Sequence, residues 1–464
     1  MNPTARGVPA RPRAADLEAL TPADRNRVVD LVRVGALLVV VLGHWVMQGL
    51  WVTDAGVLRR TGMLSTEVWA HPFTWLLQVV PLFFLVGGYV NALSWRRGRE
   101  RGLPYGEWLA ARTARLVRPL LPLLAFWVVA APGAGHLGLG WDWLRVAGKA
   151  SWVPTWFLAV YLVVVALTPL TLAWWERSGL RTVLAGVLLA GAVDLVGLVV
   201  GGTAGFAVGT LNVLVVWTTL HQLGYAWRDG AVGGQRHRGR AALLVAGALL
   251  AAVLLVRLGP YGVSMVGVTG HGVDNSIPPK VTLLLVGLAQ VGAVLLLEPR
   301  LARVAARPRV WRVTALVGSR MMTVYLWHLT AFGLLAAASL GLDGAGMSAE
   351  PGSAAWWWSR PAWFLLLALT AALLVVLLGR FEPVRTRVAA GAPGTAGVRG
   401  AVAPLLEVLV VCVVVAALAR GGVVDAEGRA VWEWQAFGLA ALLLLGAGPV
   451  TGSRRLRPGR RSDG

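Results

Sequence analysis

The chain has 464 residues, of which 57% are hydrophobic and only 14% charged, with a mean hydropathy of +0.67. That balance excludes an ordinary soluble domain, and a single cysteine, Cys412, excludes an internal disulfide framework. The net charge of +21 invites a nucleic-acid partner, but the basic residues lie between apolar runs, where they set membrane topology; no nucleic acid is expected.

Apolar runs long enough to cross a bilayer recur along nearly the whole chain. The alternation of an outer-membrane barrel is missing, so the spans are read as helices. Residues 1–26 are rich in Pro, Ala and Arg and lack the apolar core of a cleavable signal; they read as a disordered cytoplasmic lead-in. Spans are expected at about 31–52, 72–94, 119–133, 154–174, 182–201, 205–226, 241–258, 281–297, 314–340, 362–379, 403–420 and 431–450. Thirty-four of the 43 Lys+Arg fall on the N-terminal side of this pattern and nine on the other. Such asymmetry puts both termini in the cytoplasm. Residues 381–402 read as a cytoplasmic linker and 451–464 as a basic cytoplasmic tail. The richness in Ala, Gly, Val, Leu and Arg, with lysine only at Lys149 and Lys280, points to a GC-rich bacterial genome, hence to a bacterial plasma (inner) membrane.

The first span opens as RVVDLVRVGALLVVVLGHW, Arg27 to Trp45. Arg33 and His44 are eleven residues apart, which on an α-helix is about 16.5 Å of rise and about 20° of rotation, so both project from one face. Ionisable groups at that depth are costly and usually functional, although a histidine bonded to a neighbouring helix for packing would look the same. Asp30 is expected to fix Arg33 through an i,i+3 pair. The second span ends in PLFFLVGGYVNALSWRRG. There Gly87 and Gly88 admit a close helix or a substrate, and Asn91 adds a polar group one turn on.

In ARTARLVRP, Arg112, Arg115 and Arg118 recur every three residues. One helical face would gather them, either to grip phosphates or to stand beside anionic headgroups. Trp152 and Trp156 read as interfacial belt residues. Asp194, in the middle of the fifth span, needs a partner or a proton, whereas His221, beside Gln222 near the cytoplasmic end of the sixth, reads as a boundary residue. The loop GHGVDNSIPPK carries His271, Asp274, Asn275 and the Pro278–Pro279 pair. In LVGSRMMTVYLWHLTAF, Arg320 enters at the inner end with Tyr325 and His328 deeper, repeating the theme of the first span. The last two spans, featureless apart from Glu407, read as lipid-facing additions.

Taken in order, Arg27, Asp30, Arg33 and His44, then PLFF-x2-G, R-L-x-R-P, TWFL-x2-YL and YLWH resemble the integral-membrane acyltransferase-3 family over roughly residues 27–380. The resemblance implies an all-α, polytopic membrane protein with a ten-helix core at 27–380 and two further C-terminal helices within 403–450. It implies acyl transfer, commonly of acetyl, from acyl-CoA to a hydroxyl of a glycan, lipid-linked sugar or small metabolite. Acyl-CoA would be a co-substrate, with no permanently bound cofactor and no metal.

By the same resemblance His44 is the catalytic base, and Arg33 orients the donor or stabilises developing negative charge. Arg115 and Arg118 hold coenzyme A phosphates. Asp30, Gly87, Asn91, Tyr325 and His328 line or support the substrate pocket. A neutral imidazole suits such chemistry, because acyl transfer to a hydroxyl needs a proton acceptor in a site that excludes water. The competing class is a transporter or flippase. It should show two matching halves, and the arginine–histidine spacings of eleven and eight residues do not match.

Overall fold

The computed structural model describes residues 25–136, 141–268, 272–382 and 398–421. The lead-in before Arg25, His271, most of the linker after 381, the span expected at 431–450 and the basic tail lie outside the described residues. The protein is helical: ten described segments are long and apolar enough to cross a membrane, and the strands described are one hairpin. The chain divides into two compact units, one built from residues up to Arg97 and Val163–Gly379, the other from Gly98–Leu162 and residues from Arg380 onward.

In the first unit, α1 (Arg27–Met47) starts where the Asn26 side chain accepts from the amides of Val28 and Val29 at 3.0 and 3.3 Å. This satisfies two of the orphan donors at a helix start. The helix ends sooner than the apolar run does. Residues 48–52, expected to prolong the span, instead form β1 (Gln48–Val52), paired antiparallel with β2 (Leu58–Gly62). The turn between them holds Gly56 at φ +73°, and at Gly49 a Cβ would stand 2.7 Å from the Thr61 carbonyl oxygen. Turn chemistry and a bare backbone therefore override hydropathy at this end.

Helix α2 (Val80–Glu100) follows three short helical turns. In the second unit the chain forms α3 (Tyr105–Val117), α4 (Leu120–His136) and α5 (Trp141–Trp152), and α6 (Thr155–Ala166) begins there and ends in the first unit. The span expected at 154–174 is broken: α7 (Thr168–Ser178) begins afresh after Leu167, with proline in its first turn. Trp152 is completely buried, so it is a core residue and not part of an interfacial belt.

Next come α8 (Arg181–Val200), the short α9 (Gly202–Gly209) and α10 (Asn212–Arg228). Asp194 on α8, fully buried, has found its partners. It accepts from Asn212 Nδ2 at 2.8 Å and from the Val281 amide at 2.6 Å, and Lys280 Nζ lies 3.6 Å away. The carboxylate thus caps the helix that begins at Val281 and ties the preceding loop to α8. Asn275 reinforces that loop by donating to the carbonyls of Gly262 and Ser264 at 2.6 and 2.8 Å.

Helices α11 (Arg238–Leu258) and α12 (Val281–Ala305) pack along one another. The span expected at 314–340 is two helices, an amphipathic α13 (Pro308–Ser319) and α14 (Met321–Leu340). They part at Arg320, whose guanidinium donates to the Gly379 carbonyl just beyond α15 (Ala354–Leu378).

In the second unit α16 (Val398–Gly421) corrects another expectation. Instead of facing lipid all round, it packs on the arginine-bearing α3 and on α5. Its residues 404, 408, 411, 415 and 418 are buried, a stripe recurring every three or four positions.

A close crossing in the first unit joins α2 to α10. A Cβ on Gly88 would lie 1.8 Å from the His221 carbonyl oxygen, and one on Gly224 would lie 2.1 Å from that of Leu85. Small residues are what allow two backbones to approach so closely. Gly88→Ala should therefore destabilise the protein by at least about 1–3 kcal/mol, read as a lower thermal midpoint in detergent. A midpoint equal to that of the wild type would contradict this contact.

Candidate active site

The site is organised by α1 and α14. On α1 the residues near the angular position of Leu37 and Val41 are buried, whereas Leu38 and Leu42, about 100° round the helix, are 42% and 46% exposed. Arg33 and His44 lie on the inward side, both half-buried. The face shared by an arginine near the helix start and a histidine deeper along it therefore turns toward protein.

What His44 meets there is the histidine of α14. His44 Nδ1 lies 2.8 Å from His328 Nε2, with ring centroids 5.1 Å apart and planes inclined by 7°. The centroid separation equals the N···N distance plus the two ring radii, so the imidazoles meet edge to edge in nearly one plane, the geometry of a linear hydrogen bond. His328 is fully buried. Its Nδ1–H donates to the Tyr325 carbonyl oxygen one turn earlier, at 2.7 Å. The Trp45 indole donates to the His328 carbonyl at 3.0 Å, which holds the two helices in register beside the pair.

Nearer the start of α1, Asp30 is only 8% exposed. It accepts from Arg33 Nη2 at 3.0 Å and from Arg25 Nε at 2.6 Å. The expected i,i+3 pair is thus part of a three-residue cluster. Arg25 and Arg27 lie over the Trp311 ring of α13, at 5.5 and 4.7 Å from its centroid. The arginines bind α13 to the start of α1 through cation–π contact.

The remaining expected residues fall elsewhere. Gly87 is buried on α2. Asn91 donates through Nδ2 to His221 Nε2 at 3.1 Å, so it belongs to the α2–α10 crossing. His221 is completely buried; the close glycine approach at Gly88 and Gly224 draws its backbone into the core. Arg115 and Arg118 belong to the second unit. On α3, Arg115 is exposed, and Arg112 lies 5.8 Å over Trp108. Burial pulls the Arg112 guanidinium below its usual range. Arg118, at the C-terminal end of α3, carries a buried Nε with no hydrogen-bond partner among the described residues. No group of three His, Cys, Asp or Glu among those residues is placed to hold a metal ion.

A hydrogen-bonded imidazole pair inside a helical membrane protein, with an arginine on the same helix face, fits proton transfer beside a polar substrate. A family model described as an acyltransferase domain matches residues 26–385. The chain belongs to the acyltransferase-3 family. It is accordingly a multi-pass membrane acyltransferase, and Arg33, His44, Arg115, Arg118, Tyr325 and His328 all lie within the matched segment, whereas α16 lies beyond it. No curated protein and no solved structure matches the chain.

Removing the carboxylate that Arg25 and Arg33 share takes a common, largely buried acceptor away from two guanidinium groups. Asp30→Ala is expected to lower stability by about 1–3 kcal/mol. A denaturation midpoint in detergent unchanged from the wild type would show that the cluster contributes nothing.

Proposed function

We propose that this acyltransferase moves an acyl group, acetyl in the simplest case, from acyl-CoA to a hydroxyl of a carbohydrate, a cell-envelope glycan or a secondary metabolite. The observation that carries the reading is the half-buried His44 imidazole, braced at Nδ1 by His328, with no hydrogen-bond partner for its Nε2 among the described residues. A ring held on one edge and unengaged on the other is suited to general-base catalysis. In this reading Nε2 takes the proton of the acceptor hydroxyl while its oxygen attacks the thioester carbonyl carbon. The carbon–sulfur bond then breaks, and the coenzyme A thiolate leaves with the proton carried by His44, so the base is regenerated.

Arg33 serves the negative charge that develops on the carbonyl oxygen, and Asp30 keeps its guanidinium oriented. Arg115 and Arg118 take the coenzyme A phosphates, a role for which planar, permanently charged guanidinium groups are well suited. The partly unsatisfied Arg118 supports this assignment. The membrane would be the plasma membrane of a bacterium, with both termini and the Arg33 end of α1 in the cytoplasm, where acyl-CoA is found. Exclusion of water from the reacting groups would favour transfer over thioester hydrolysis.

Release of coenzyme A by the purified protein, given acetyl-CoA and a panel of sugar acceptors, tests the reaction directly. His44→Ala should reduce turnover by about 100-fold or more in protein that still elutes as a folded species, although loss of the bond to the buried His328 lowers its thermal midpoint; retained turnover would remove His44 from the mechanism. Replacing Arg115 and Arg118 by glutamine should raise the donor KM and leave kcat nearly unchanged. An unaltered KM would reject the phosphate assignment.

A further inference from the structure

Carbonyl oxygens only accept hydrogen bonds, so the 2.7 Å contact between His328 Nδ1 and the Tyr325 carbonyl requires the proton of a neutral His328 to sit on Nδ1. Its Nε2 is then a bare lone pair. That lone pair faces His44 Nδ1 at 2.8 Å, and two lone pairs cannot face one another at that distance, so His44 must carry its own proton on Nδ1. The consequence reaches the opposite edge of the ring: His44 Nε2 is left unprotonated. We infer that His328 is a positioning residue that fixes the tautomer of His44, so that Nε2 is the atom that receives the acceptor's proton, and that the two rings hold the resulting positive charge as a pair. This deepens the proposed function, because it rests on His44 as the base.

The same contacts serve both charge states. When Nε2 takes the hydroxyl proton, His44 becomes an imidazolium whose Nδ1–H still donates to His328 Nε2. If that Nδ1 proton shifts across the 2.8 Å bond, the charge moves to His328. There the Nδ1–H keeps its bond to the Tyr325 carbonyl and the new Nε2–H donates back to His44. The reverse shift returns the charge to His44, and Nε2 then delivers the proton to the departing thiolate. No group turns or loses a partner at any stage, which is what preorganisation requires.

The choice of orienting group follows from the surroundings. A carboxylate in this role would be a second ionised group buried along an apolar helix, which is costly. Imidazole accepts the same hydrogen bond while neutral. The Trp45 indole, bonded to the His328 carbonyl at 3.0 Å, maintains the spacing from the neighbouring position in sequence.

Two substitutions separate orientation from mere filling of space. Glutamine at 328 can place an amide oxygen where Nε2 stood and still accept from His44 Nδ1. Asparagine can reproduce the donor to the Tyr325 carbonyl but is too short to reach His44. His328→Asn should lower kcat by about 100-fold or more, the range expected when a base is held in the wrong tautomer, with donor KM unchanged. His328→Gln should recover most of that loss.

The direct readout is the imidazole ¹⁵N spectrum of the full-length protein labelled at its seven histidines, with the His44 and His328 signals assigned from the His44→Gln and His328→Gln proteins. The wild type should show both rings protonated at Nδ1, and His328→Asn should move His44 toward the Nε2–H form. A wild-type His44 protonated at Nε2, or a tautomer unchanged in His328→Asn, would overturn the inference. If the wild type failed to release coenzyme A, the acyl-transfer reading would fail, while the spectra would still decide the tautomer.

Discussion

One hydrogen bond between two imidazoles sets the arrangement on which the candidate site depends. His44 and His328 are separated by 284 positions in the chain, and each alone would be a polar group stranded in an apolar helix. Paired, each satisfies the other at little cost in buried charge. The pair also fixes how α1 and α14 face each other, because a histidine ring reaches its partner only at one relative rotation and depth of the two helices. The Trp45 bond to the His328 backbone secures the same register from the adjacent residue. Everything nearer the start of α1, from Leu37 to the Asp30 cluster, inherits its orientation from that constraint.

The rest of the first unit holds those two helices still. At one end, arginines from the start of α1 lie against Trp311 of α13 and meet at Asp30. Elsewhere, Asp194 gathers α8, the loop before α12 and the first amide of α12 into a single buried polar node. Between spans the contacts are close enough to need glycine, as at Gly88 and Gly224. Apolar helices gain little from the hydrophobic effect inside a lipid phase, so tight packing and a few fully satisfied polar nodes carry the specificity.

The second unit places the arginines of α3 against a helix that the family match does not include. α16 covers α3 and α5 with a stripe of valine and leucine, and Cys412 donates its thiol to the Ala159 carbonyl of α6 at 3.4 Å. A segment that reads as an appendage is therefore structural for the helix proposed to meet coenzyme A. Hydropathy alone could not distinguish the two, because a lipid-facing surface and a helix-facing surface are equally apolar.

Periodicity and composition determined much of this protein by themselves. The helical class, most of the spans, the common face of Arg33 and His44 and the i,i+3 pair with Asp30 all follow from local geometry, since a helix repeats every 3.6 residues whatever it packs against. The family was legible too, in short ordered motifs. Tertiary structure decided the rest, because it joins residues whose separation in sequence carries no signal. Only packing shows that His44 meets His328, that Asn91 serves His221, that Asp194 is paired with Lys280, and that residues 48–52 leave the helix to form a strand. Polar groups in a low-dielectric interior must find partners. The sequence states the need, and only the folded chain states which partner meets it.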